Sequence, residues 1–92
     1  MPNIIPFPDR RLGRLADPYW LARHMPELFA NYLRATFRRP EEVATAYTVT
    51  FATARNWWDA VSAPRADKVA ATAVADPEGF ERHIAGPIRE AG

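Results

Sequence analysis

The sequence predicts an all-α fold, a compact bundle of four to six short helices behind an extended N-terminal arm. Three observations lead there. Apolar residues recur at helical spacing in several separate stretches, as in Leu28, Phe29, Tyr32, Leu33 and Phe37. Asp17-Pro18, Pro40 and Asp76-Pro77 stand where helices start, because proline suits a first helical position whose N–H has no partner in any case. No stretch sustains the apolar–polar alternation of a strand. At 92 residues the chain is one small domain with enough aromatic and aliphatic residues for a single modest core.

Residues 1–16 carry three prolines before Asp9, then Arg10-Arg11-Leu12-Gly13-Arg14, with no period to organise them, and read as an extended arm. A helical domain is expected over 17–86 and a short tail over 87–92. Within the domain, Asp17 caps a short helix from Pro18 to about His24, which ends before Pro26. A second helix starts near Pro26 and keeps Arg34 and Arg38 near its rim. After the central segment, Ser62-Ala63-Pro64 breaks the chain, and Ala66 to Ala75 forms a helix with Val69, Ala70, Ala73 and Val74 inward. Asp76-Pro77 caps the last helix, about Pro77 to Ala85, which turns Phe80 and Ile84 to one side before Gly86-Pro87 ends it.

The central segment, Pro40 to Asp59, fits two short helices joined by a tight turn, the sequence pattern of a helix-turn-helix. Pro40 takes the first helical position, and Glu41 and Glu42 set negative charge against the positive end of the helix dipole; Arg39 is a poor cap. Val43, Ala44 and Tyr47 share one face, with Ala44 small enough to let a second helix cross close by. Thr48-Val49-Thr50 makes the turn: Val49 plugs the corner and Thr50 caps the next helix. That helix, about Phe51 to Val61, buries Ala54, Trp57 and Val61 and turns Phe51, Ala52, Arg55, Asn56 and Asp59 outward.

The segment resembles the helix-turn-helix of the Cro/repressor-like (XRE-type) bacterial and phage regulators. That family has a small residue at the fifth position of the pattern, a small residue or glycine at the ninth, aliphatics at the tenth and fifteenth, and often tryptophan at the eighteenth. Counted from Pro40, this chain offers Ala44, Thr48, Val49, Ala54 and Trp57. Thr48 stands where glycine is usual, and a left-handed backbone costs a β-branched residue more than glycine. Ala54 replaces a larger aliphatic, with Tyr47 and Trp57 supplying bulk. The likeness covers roughly residues 27–74, about half of the chain.

The resemblance implies a sequence-specific regulator of transcription whose partner is double-stranded DNA. Its second helix would lie in the major groove. The expected base-facing positions are Thr50, Phe51, Ala52, Arg55, Asn56 and Asp59: Arg55 for guanine, Asn56 for adenine, Phe51 or Ala52 for a thymine methyl. Asp59 would accept from cytosine N4 or else repel phosphate. Arg38, Arg39, Thr53, Arg65 and Lys68 are expected at phosphates, as is the Thr50 hydroxyl, and Arg10, Arg11 and Arg14 in a neighbouring minor groove. Trp57 belongs to the core, and Trp58 either packs under the next helix or forms a patch for a partner. The other function class is a helical protein-interaction module that recruits RNA polymerase or another regulator through exposed aromatic residues, Tyr19, Trp20 and Phe7 among the candidates. Monomer and homodimer both remain open.

Composition narrows these choices. The net charge of +1 is small for a nucleic-acid binder, but residues 1–39 hold seven arginines against three acidic residues, while the remainder sums to −3. The basic residues therefore gather on one side of the sequence. Cysteine is absent, which excludes disulfides and thiolate metal sites and fits a reducing cytoplasm. No run approaches the roughly 20 apolar residues that span a bilayer, and the first residues lack the pattern of a secretion signal. No cofactor or metal is expected, and no enzyme: His24 and His83 lack ligand spacing, Ser62 is the sole serine and has no nucleophile context, and four scattered glycines form no phosphate loop.

Overall fold

Asp17 opens the first helix, its carboxylate accepting the Tyr19 N–H at 3.0 Å, in a computed structural model that describes residues 17–91. The arm predicted at 1–16, with Arg10, Arg11, Arg14 and Phe7, lies outside the described residues. Helix α1 (Pro18–Thr36) runs unbroken through Pro26, where two helices were expected. An internal proline forfeits one hydrogen bond and costs about 3 kcal/mol. Here Met25, the residue just before it, packs against the core and holds that turn helical. The C-terminal half of α1 then buries Phe29, Ala30, Tyr32 and Leu33.

Helix α2 (Pro40–Tyr47) starts without help from the Arg39 side chain. Instead the Glu42 carboxylate reaches back past the cap residue to the Arg38 N–H at 2.9 Å, and its charge faces the positive end of the helix dipole. The helix ends at Thr48, whose backbone is left-handed (φ 55°, ψ 52°). The Val49 N–H reaches the Ala44 carbonyl at 3.0 Å and the Thr48 N–H faces that of Thr45 at 3.4 Å, the bond pair of a Schellman ending.

Helix α3 (Phe51–Trp58) is capped by Thr50, whose hydroxyl oxygen accepts from the Thr53 N–H at 3.1 Å. It stops at Trp58, three residues before the expected end. Ala60 turns left-handed (φ 61°), and the N–H groups of Ala60 and Val61 bond back to the Trp57 and Asn56 carbonyls. Those two bonds close the end of α3 as a Schellman pair, and Arg34 donates to the Trp58 carbonyl beside it. Val61, expected in the core, is therefore 69 % exposed.

Helix α4 (Ala66–Ala75) has the expected bounds but not the expected face. Val69 and Ala73 are half-buried, whereas Ala70 is exposed and Val74 is 83 % exposed. The inward face centres on Thr72, which is buried because its hydroxyl has two partners: the Tyr47 hydroxyl at 2.6 Å and the Lys68 carbonyl at 2.9 Å. Facing Thr72 toward Tyr47 turns Val74, about 200° round the helix, outward.

Asp76 caps helix α5 (Pro77–Phe80) through the Gly79 N–H at 3.1 Å. The chain does not stop at Gly86-Pro87 as expected. A π-helical turn (Glu81–Ala85) leads directly into helix α6 (Gly86–Ala91). The Gly86 N–H bonds the Glu81 carbonyl across this wide turn, just before Pro87, whose ring would clash with the His83 carbonyl in a regular α-helical turn. A Cβ on Gly86 would lie 2.8 Å from that Glu81 carbonyl oxygen.

Helix α1 is the common support, packing on α3 and on the π-helical turn, while α2 packs on α3 and α4 on α5. Phe29, Tyr32, Leu33, Val43, Ala54, Trp57 and Ile84 form the core. Tyr47 meets Trp57 nearly edge-on, ring centres 5.5 Å apart, and Phe29 at 6.4 Å. The described residues form no strand, and no helix among them is long and apolar enough to cross a membrane.

Candidate nucleic-acid interface

The α2–α3 pair is built from a three-residue connection and one shared apolar seam. Val43 and Ala54 are fully buried, Trp57 nearly so, and Ala44, Tyr47 and Val49 pack half-buried against them. The six positions picked out as the motif's interior thus meet in space. Trp58 is also half-buried against the core rather than displayed as a patch.

With Ala54 and Trp57 turned inward, α3 presents Phe51, Ala52, Arg55 and Asn56 to solvent, and Asp59 follows at its end. Thr50 is exposed, but its hydroxyl is engaged in the cap: it accepts from the Thr53 N–H and donates to the Thr53 hydroxyl at 3.0 Å. Arg55 is not free-standing. Its Nε donates to Asp59 Oδ2 at 2.8 Å, one helical turn away. At the same end of α3, Arg34 donates to the Trp58 carbonyl. No sequence pattern marked Arg34 for this task, because a basic residue in the last turn of α1 is already accounted for by that helix's own dipole.

Of the positions expected at phosphates, Arg38 and Arg39 are exposed before α2, Arg65 is exposed before α4, and Thr53 and Lys68 are half-buried. Residues 17–91 sum to −1, whereas residues 1–16 carry +2, so the basic excess belongs to the arm sequence. Glu41 and Glu42 place negative charge at the start of α2.

Behind this face, Tyr32 donates to Asp76 Oδ2 at 2.9 Å, and burial followed by that bond pushes its phenol up to about 12. Burial raises Tyr47 as well, against the opposing effect of its Thr72 partner. His24 stacks on Trp20 with ring centres 4.3 Å apart, and His83 stands edge-on to Tyr32 at 6.3 Å. Among the described residues no three His, Asp or Glu side chains converge as metal ligands. A shallow hollow between the π-helical turn and α6 is lined by charged groups, and there the Glu81–Arg89 pair holds the carboxyl below its usual range. Compared with known proteins, the chain matches no family model, no curated protein and no solved structure.

Proposed function

We propose that this chain is a sequence-specific double-stranded DNA-binding protein that regulates transcription, with Phe51–Trp58 as the recognition helix of a helix-turn-helix. The observation that carries the reading is the division of α3: Ala54 and Trp57 are buried while Arg55 and Asn56 stand exposed on the same short helix. The left-handed Thr48 supports it too, since that backbone falls at the position where Cro/repressor-like regulators usually have glycine.

In the proposed docking, α3 lies in the major groove, Arg55 faces guanine O6 and N7, and Asn56 faces adenine N6 and N7. Phe51 and Ala52 offer apolar contact to a thymine methyl. Arg38, Arg39, Arg65 and Lys68 contribute phosphate contacts that give affinity without sequence choice. Because residues 17–91 carry no positive excess, Arg10, Arg11 and Arg14 supply the electrostatic attraction the domain itself lacks.

The test is fluorescence anisotropy on a labelled random duplex and on the DNA upstream of the protein's own gene, at about 50 and 200 mM salt. The expected result is salt-sensitive binding, tighter on the genomic fragment and weakened by Arg55→Ala and Asn56→Ala. Absence of binding at the lower salt overturns the reading. It would favour the protein-interaction module instead, for which the specific observation is Tyr19, 79 % exposed on α1. An apolar contact of that kind changes little with salt.

A further inference from the structure

We infer that Asp59 is a positioning residue for Arg55 and makes the outer face of α3 select guanine; the inference rests on the DNA-reading proposal above. The Asp59 carboxylate holds Nε, the inner nitrogen of the Arg55 guanidinium, at 2.8 Å. A guanidinium is a rigid planar fork, so fixing Nε orients the two terminal nitrogens as a unit and leaves their N–H groups unspent. Two adjacent acceptors, O6 and N7, meet such a fork only on the major-groove edge of guanine; adenine sets an N6 donor against one of its prongs.

As the i,i+4 partner of Arg55, Asp59 gives α3 only slight support, and its place at the end of the helix offsets it. A carboxylate at a helix C-terminus faces the negative end of the dipole. Among the described residues its side chain bonds to Arg55 alone. Both side chains are half-exposed, 57 % for Arg55 and 43 % for Asp59, so the pair sits at the surface where a groove floor would arrive. Asp59 also repels phosphate. It therefore lowers affinity for DNA at large while it sharpens the choice of base.

The experiment selects duplexes from a random pool with the full chain and its Asp59→Ala, Arg55→Ala and double variants, sequences the bound fraction, and measures the affinity of each for a random duplex. The parent is expected to enrich guanine at one position. Asp59→Ala is expected to lose roughly tenfold of that preference with random-duplex affinity unchanged or higher, and the double variant to lose no more than Arg55→Ala. An Asp59→Ala variant that keeps the full guanine preference and only binds every sequence more tightly overturns the inference and leaves the DNA reading standing. A parent that binds no duplex overturns both.

Discussion

The guanidinium of Arg34, in the last turn of α1, donates to the carbonyl of Trp58, the last residue of α3. One side chain of the supporting helix thus closes the end of the helix proposed to read DNA. Arg34→Met keeps the aliphatic stem and removes the donor. At this exposed site it is expected to cost about 0.5–1 kcal/mol in urea denaturation. An unchanged midpoint would mean that water serves the Trp58 carbonyl equally well.

Two left-handed residues without glycine end the paired helices, Thr48 after α2 and Ala60 after α3. A left-handed backbone costs an L-residue about 1–2 kcal/mol, part of which glycine gives back through its freer unfolded chain. Thr48→Gly is therefore expected to stabilise by about 0.5–1 kcal/mol, the larger gain because threonine is β-branched, and Ala60→Gly by less. Melting temperature should rise by several degrees, at about 4–8 °C per kcal/mol for a domain of this size. A fall on Thr48→Gly would mean that the threonine side chain contributes something its exposure does not reveal.

Asp76 binds Tyr32 with one oxygen and the Gly79 N–H with the other. A Cβ on Gly79 would come 2.3 Å from Asp76 Oδ2 and 3.0 Å from the Tyr32 ring. Gly79→Ala should thus destabilise by about 1–2 kcal/mol, although alanine is by itself the better helix former. Tyr32→Phe should cost about 1 kcal/mol. Because both act on one carboxylate, the double variant should lose less than the sum of the singles in thermal denaturation. Strict additivity would show the two bonds to be independent.

Alkaline pH tests the same tyrosine. Its phenol rises from 10.0 to about 12 on folding, by burial first and the Asp76 bond second. Between those values the unfolded chain releases a proton that the folded chain keeps. The contribution is complete below pH 10 and is lost as pH passes through 12. Urea midpoints measured from pH 8 to 12 should fall across that window, and Tyr32→Phe should flatten part of the decline. Identical slopes for parent and variant would mean that Tyr32 ionises as it does in water.

The bounds of α2 and α4 and the start of α3 were legible because their signals are local: Pro40, the Pro64 break and the Thr50 cap act within a few residues. So was the buried seam of Val43, Ala54 and Trp57, which helical spacing alone places on one face. Two of the misreadings have distant causes, and one a local cause without its usual residue. Pro26 looked like a boundary because the packing of Met25 cannot be read from neighbouring residues. Val61 looked apolar and inward, but left-handed Ala60 ends α3 before it, and no glycine marks that ending in the sequence. Val74 lost the inward face of α4 to a threonine whose partner, Tyr47, lies on another helix. At the outer face of α3 the residue types were visible, but the Arg55–Asp59 bond was not, since i,i+4 spacing permits a pair without requiring one.

The wide turn at Glu81–Ala85 bears on which lengths of chain the fold accepts. Phe80 and Ile88 are eight residues apart, which in a regular helix of 3.6 residues per turn sets them about 80° apart round the axis. Both pack on the core beside Ile84, and the turn, by absorbing one residue, brings them into closer alignment, as though two ordinary turns apart. The last helix therefore carries a residue of slack. Shortening it there by one keeps Ile88 in phase with the core, at the cost of closing the Pro87 ring on the carbonyl four residues back, whereas the same deletion within Pro40–Tyr47 swings every later side chain of that helix by about 100°.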